Sequence, residues 1–239
     1  MNNTRLPAAL TSIEGLENAM EDLTDDQWPR AMGVLRRELR TMDEFRLFSS
    51  SYPIELQTRV LSIVQRFAYY DPNVGDISDI STWCLERWLL LLNGNSREVG
   101  VLRGLGEYWN LRGQQILHRI RANSSSSGDS SEADRGAPRA FLNRVHTQAH
   151  VEARGLLQPS ADYYQRAVTL AQGNDTLDGD LLSEAAESHI NIGSVTSGRE
   201  SQGYFQRAIR YLRAASLFDD YELSEDLQRY LDDYGQYVD

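Results

Sequence analysis

The apolar residues of this chain recur at the three- and four-residue spacing of an α-helix over most of its length. One stretch places Met32, Leu35, Leu39 and Met42 on a single helical face, and later segments repeat the spacing. The strict alternation of apolar and polar residues that marks a half-buried strand is almost absent. The pattern therefore predicts an all-α protein of about ten helices, joined mostly by short turns and packed as antiparallel pairs.

Local composition divides the chain into three predicted parts. Residues 1–122 are predicted to form an N-terminal helical region. Residues 123–138 are rich in Ser and Gly and contain no large apolar residue, so they cannot offset the entropy of ordering and are predicted to be a disordered insertion. Residues 139–239 are predicted to form further helical hairpins, with a helix break at Pro159 and an acidic capping helix at the end.

The charged residues exclude several classes of function. The chain has 24 arginines and no lysine, which excludes Schiff-base chemistry and a P-loop lysine. Its net charge of −11 disfavours binding to nucleic acid or to an anionic membrane. Because no phosphate-binding loop, nucleophile elbow or zinc-spaced cysteine pair is present, we expect no enzyme activity and no cofactor.

The cysteine content and the apolar runs indicate a compartment. Cys84 is the single cysteine, so no internal disulfide can form, and its apolar neighbours favour a buried structural thiol. The N-terminal segment lacks the apolar run of a signal peptide, and no run is long enough to cross a bilayer. We therefore expect a protein of the cytoplasm or nucleus.

The second half of the chain carries a more specific pattern. A helix with Gly193 is followed by a helix that has small, large and small residues at i, i+4 and i+7, namely Ala208, Leu212 and Ala215. A weaker pair has Gly155 followed by small residues in 161–171, and Gly106 begins a similar first-helix pattern upstream. Over roughly residues 96–239, the chain resembles the tetratricopeptide-like superfamily, in which a small residue lets the two helices of a hairpin touch.

This resemblance implies a fold and a mode of action. The expected fold is a tetratricopeptide-like α-solenoid of stacked antiparallel hairpins, in which Gly106, Gly193 and the small-large-small row are helix-packing residues. The alternative fold is a plain helical bundle. The expected function is that of a non-catalytic scaffold or adaptor, an accessory or assembly subunit that binds a partner's peptide or helix in a groove. The residues proposed to contact the partner are Asn191, Arg207, Arg210 and Tyr211.

Two alternative functions remain open at this stage. Residues 216–239 carry eight acids against Arg229 alone, so the C-terminal helix could serve an assembly chaperone for a basic client. His146 and His150 stand at i and i+4, a spacing that zinc can bridge, so an enzyme site could be assembled around them. The family's lysine-dependent clamp for chaperone tails is disfavoured, because the chain has no lysine.

Overall fold

A computed structural model describes residues 4–24, 26–70, 77–126 and 147–238 of the 239-residue chain. Within these ranges every regular element is helical and no strand occurs, which confirms the predicted all-α class. The chain divides into two compact units, Met1–Ser96 and Arg97–Asp239, a different partition from the predicted segments. Residues 127–138 of the predicted insertion lie outside the described residues. Residues 123–126 instead continue a helix, since extending an existing helix costs far less than starting one.

Over the part of the first unit that the structure describes, the α-helices are α1 (Arg5–Ala19), α2 (Trp28–Glu44), α3 (Ile54–Ala68) and α4 (Ser78–Gly94). Their apolar rows form the buried core, and Trp88 at its centre donates from Nε1 to Gln65 Oε1 at 2.8 Å. Cys84 is fully buried on α4, as expected for a structural thiol. Trp28 stacks on Tyr70 with ring centroids 4.7 Å apart, which holds the start of α2 against the end of α3.

Ion pairs join these helices and give the direction of α4 relative to α2. Glu17 and Arg66 join α1 to α3. Between α2 and α4, Arg36 contacts Asp79 at 2.7 Å, and Asp43, one heptad further along α2, contacts Arg87 at 2.8 Å. Because both partners advance along the chain together, α2 and α4 run in the same direction. These exposed pairs specify the alignment of the helices more than they add stability.

In the described residues of the second unit the α-helices are α5 (Val99–Ser126), α6 (Gln148–Gly173), α7 (Gly179–Val195), α8 (Gly198–Ala215) and α9 (Glu225–Tyr234). Helices α5 and α6 run antiparallel, because Gly106 and then Gly113 of α5 face Tyr164 and then Leu157 of α6. Close backbone approach is possible where a glycine faces the partner helix. A Cβ added at Gly106 of α5 would lie 2.8 Å from the Tyr164 ring of α6. A Cβ added at Gly193 of α7 would lie equally close to the Phe205 ring of α8.

The predicted break at Pro159 does not occur. Helix α6 runs without interruption from Gln148 to Gly173 and contains Pro159 in its interior. Proline removes one backbone donor and disfavours a helix, but contacts on both sides of it hold this helix together. Leu157 packs against Gly113, while Ser160 Oγ donates to the Gly106 carbonyl at 2.8 Å. Gly155 therefore belongs to α6 itself and is not the glycine of a separate first helix.

Helices α5 and α7 are parallel and in register. Arg103 donates to both carboxylate oxygens of Glu184, from Nε at 2.7 Å and from Nη2 at 2.6 Å. Asn191 Nδ2 donates to Asn110 Oδ1 at 3.0 Å. Both pairs join residues 81 positions apart, so a step of seven residues along α5 matches a step of seven along α7. Two helices can keep that match over two turns only if they run in the same direction.

Candidate functional site

Helix α8 has a buried face and two flanks with different surroundings. The row of Ala208, Leu212 and Ala215 is fully buried, and Phe205 covers Gly193 of α7. On one flank, Tyr204 and Arg207 reach α6, where Arg207 Nη1 donates to Gln165 Oε1 at 2.8 Å.

The other flank of α8 is one wall of an open groove of about 560 Å³. The α8 residues in the groove recur at helical spacing from the first turn to the third, namely Gly198, Ser201, Gln202, Phe205, Gln206 and Ile209. By helical geometry this row lies on roughly the opposite side of α8 from Tyr204 and Arg207. The groove therefore flanks α8 on the side that α6 leaves uncovered.

Helix α9 and the 3-10 turn Gly235–Tyr237 form the second wall. Ser224 caps α9 by accepting from the Leu227 backbone N–H at 3.4 Å. Leu227 and Leu231 then face the cluster of α7 and α8 side chains. The next face of the helix presents Tyr230, Tyr234 and Tyr237, spaced i, i+4 and i+7, together with Val238.

Arg213 of α8 forms hydrogen bonds to this second wall. Its Nη2 donates to the carbonyl of Gly235 at 3.0 Å and to that of Val238 at 2.7 Å. These carbonyls follow the end of α9, where a cation also interacts favourably with the helix dipole. Together with the packing of Leu227 and Leu231, Arg213 therefore holds the groove's C-terminal wall against α8.

The three tyrosines differ in exposure. Burial and the neighbouring Tyr234 raise the pKa of Tyr230 to about 12. The Tyr230 and Tyr234 rings lie 4.8 Å apart, while Tyr234 is 52% exposed and Tyr237 is 75% exposed. Such half-covered phenol rings can give apolar contact and donate a hydrogen bond at once, which is the combination enriched at protein interfaces.

The two rims of the groove carry opposite charges. Asp226 and Asp233 stand four residues before and three after Tyr230, so they lie on the groove side of α9. Arg229 contacts Asp226 at 3.4 Å, an exposed pair that neutralises little of this rim. On α8, Arg199 and Arg210 are exposed and follow the outer edge of the row through Gln206.

The four residues proposed from sequence as partner contacts are not among the residues that line the groove. Asn191 is bound to Asn110 of α5, and Arg207 is directed to α6. Tyr211 packs edge-on against the buried ring of His189, with centroids 5.3 Å apart. Arg210 alone lies beside the groove. From sequence the tyrosine row was not proposed as a binding surface, although its i, i+4, i+7 spacing is a readable signal.

The structure describes only one of the two histidines of the suggested metal or enzyme site. His146 lies outside the described residues, and His150 Nδ1 lies 2.7 Å from Thr147 Oγ1. Burial lowers the pKa of His150, with Arg154 acting in the same direction. In the described part of the chain, no group of three or more His, Cys, Asp or Glu residues could hold a metal ion.

A larger cavity, about 790 Å³, lies in the first unit between the loop after α2 and the end of α4. Its polar walls are largely bound to one another. Arg87 contacts Asp43, and Gln57 Nε2 donates to the carbonyls of Ser49 at 3.0 Å and Tyr52 at 2.7 Å. These bonds hold the loop in place, so we assign its polar groups a structural role.

Membrane-spanning segments and similarity to known proteins were both sought. No helix within the described ranges is long and apolar enough to span a membrane. In comparisons with known proteins, no family model, no curated protein and no solved structure matches the chain.

Proposed function

We propose that this protein acts by binding another protein without catalysis, and that the partner's segment lies in the groove between α8 and the C-terminal tyrosine row. The observation that carries the proposal is the exposure of Tyr234 and Tyr237 beside Phe205 and Ile209 in a concave site. A few aromatic side chains commonly supply most of the binding energy of an interface. The protein would then serve as an adaptor or as an accessory subunit of a larger complex.

The lining of the groove favours binding over chemistry. It offers phenol rings, aliphatic side chains, two carboxamides and the Ser201 hydroxyl. Ser201 Oγ already donates to the Gly193 carbonyl at 2.8 Å, so it is not activated as a nucleophile by a neighbouring base. Groups of this kind recognise a surface by apolar contact and hydrogen bonding.

We further propose that the second unit is a stack of tetratricopeptide-like hairpins, α5 with α6 and α7 with α8. The in-register pairs between α5 and α7 support this arrangement, because first helices of successive hairpins stack in parallel. Each second helix also has a buried small-large-small row. In α8 it is Ala208, Leu212 and Ala215, and in α6 it is Ser160, Tyr164 and Ala167.

The proposed function can be tested with a displayed library of helical and extended peptides, selected on the purified full-length protein. The decisive variants are Tyr237→Glu and its neighbour Gln236→Glu, which introduce the same charge one residue apart. Tyr237 lines the groove, whereas Gln236 is exposed, is not among the lining residues and donates to the Asp233 carbonyl at 3.4 Å. We expect selected peptides to bind wild type and Gln236→Glu alike, and to lose about tenfold or more in affinity on Tyr237→Glu.

Two results would count against the proposal. Selected peptides that bind the Tyr237→Glu protein as tightly as wild type would place the binding surface elsewhere. A library that yields no peptide with saturable binding to the wild-type protein would argue that the groove is not a recognition site.

A further inference from the structure

We infer that the occupant of this groove is an amphipathic α-helix with basic residues along the flank that faces α9. The inference rests on the proposed function and adds the conformation and the charge of the partner segment.

The shape of the groove favours a helix. Its α8 wall extends from Gly198 to Ile209, which corresponds to about 17 Å of helix axis. On its opposite flank, α8 already has α6 as a helical neighbour, contacted through Tyr204 and Arg207. A helix in the groove would flank α8 as α6 does, and α9 would support it from the other side.

The aromatic and aliphatic lining of the groove favours a partner helix with an apolar stripe. Ile209 and Phe205 line one side, and Tyr230 and Tyr234 line the other. Helical side chains at i, i+3, i+4 and i+7 would meet both walls, as in other helix-in-groove complexes. Gly198 adds no side chain to the α8 wall, and a Cβ placed there would meet nothing within 4 Å. A large partner side chain could therefore approach the start of α8.

The acidic residues of α9 favour basic residues on the flank of the partner helix that faces α9. Asp226 and Asp233 lie along the groove side of α9, and residues 216–239 have a net charge of −7. The nearby cation Arg229 is 68% exposed and pairs weakly with Asp226, while Arg213 is bound to the Gly235 and Val238 carbonyls. Basic partner residues would thus meet a rim that stays net acidic, which adds both attraction and selectivity.

The opposite rim determines which flank of the partner is basic. Arg199 and Arg210 on α8 would repel a helix that is basic on both sides. The favoured partner is therefore basic towards α9 and acidic or neutral towards α8, as in helix pairs whose flanking charges select the partner.

The test uses three fluorescent synthetic helices of about 18 residues, long enough to hold helical structure. All three share one Leu and Phe stripe and carry Gln on the flank that faces α8, while the flank that faces α9 carries Arg, Gln or Glu. Anisotropy titration with the full-length protein should rank them with Arg tightest and Glu weakest, at least tenfold apart, since roughly two charge pairs are made or opposed. Added salt should reduce this difference, because it screens the acidic rim.

Two double substitutions that reverse charge show which acidic residues attract the basic peptide. Asp226→Arg with Asp233→Arg should weaken the Arg peptide about tenfold or more. The matched control is Glu225→Arg with Asp232→Arg, which gives the same net charge about half a turn away from the tyrosine row and should weaken it less than about threefold. Asp226→Asn with Asp233→Asn, which keeps the side-chain shape, should give a smaller loss of the same sign. Arg199→Glu with Arg210→Glu should instead strengthen binding of a further peptide that carries Arg on both flanks, because repulsion by α8 is replaced by attraction.

The outcomes separate the inference from the proposed function. If the three peptides bind equally and Tyr237→Glu abolishes all of them, the groove binds helices but the charge inference is wrong. Equal weakening by the two double reversals would mean that net charge alone attracts the peptide, which also overturns it. If no helical peptide binds while extended peptides from the library do, the occupant is not a helix. If neither kind binds, the proposed function itself fails.

Discussion

The close packing of α5 on α6 predicts that alanine at two different glycines changes the stability of the protein in opposite directions. Gly113 lies within α5, and a Cβ added there would lie 2.5 Å from Leu157 Cγ, more than 1 Å inside ordinary carbon–carbon contact. Leu157 cannot turn away, because it is fully buried with Ala153 and Ile116 around it. Gly203 lies within α8, and a Cβ added there would meet nothing within 4 Å.

The expected magnitudes follow from these two surroundings. Replacing a helix-interior glycine by alanine gains about 1 kcal/mol of helix propensity at either position. At Gly113 the forced separation of α5 and α6 costs about 2–3 kcal/mol, the upper part of the overpacking range, since the clash reaches the branch point of Leu157. Gly113→Ala should therefore lower the free energy of unfolding by about 1–2 kcal/mol, whereas Gly203→Ala should raise it by about 1 kcal/mol.

The measurement must distinguish the two compact units, which need not unfold together. Urea unfolding combined with amide hydrogen exchange read by mass spectrometry gives a free energy for each region. Gly113→Ala should speed exchange in α5–α8 and leave α1–α4 unchanged. A Gly113→Ala protein as stable as Gly203→Ala would refute the close approach of α5 and α6. As a further check, Leu157→Ala should cost less in the Gly113→Ala background than in wild type, because it removes the clashing atoms.

Two other predictions concern a buried histidine and the C-terminal wall. Burial lowers the pKa of His189 to about 4 and outweighs its 2.8 Å bond to the Ala185 carbonyl. As the pH falls, the unfolded chain therefore takes up the proton before the folded chain does, and the free energy of unfolding should fall by about 2 kcal/mol between pH 7 and pH 5. His189→Phe should remove most of this pH dependence, as measured by urea unfolding at several pH values. Arg213→Met should speed amide exchange in residues 230–238 and weaken peptide binding, because the Gly235 and Val238 carbonyls lose their donor; Arg210→Met, exposed on the same helix, should leave the exchange unchanged.

The helices of this chain were predictable because their apolar rows are regular. The row from Met32 to Met42 is buried on α2 as its spacing indicates. Pro159 was misjudged because local propensity disfavours a helix there, whereas the contacts of Leu157 and Ser160 with α5 come from residues far away in sequence. Sequence alone cannot weigh such contacts against a local penalty.

The roles of the glycines and the groove were harder to predict. Gly155 and Gly113 look alike in sequence, yet an added Cβ is free of contacts at the first and collides with Leu157 at the second. Which glycine faces a neighbour depends on how the hairpins pair. The tyrosine row was visible as a pattern, but its exposure depends on how α9 lies on α8. That placement is set by Arg213 and Leu227, which no local rule identifies.

The lengths of the connections in the second unit have a consequence for the order of folding. Two residues separate α7 from α8, whereas 21 residues separate α5 from α6. Closing the short connection restricts far fewer chain conformations, so we expect the α7–α8 hairpin to form early and α5 to dock late. The Arg103–Glu184 and Asn110–Asn191 bonds would then form after the rate-limiting step. Substitutions there should speed unfolding and leave the refolding rate nearly unchanged in stopped-flow experiments.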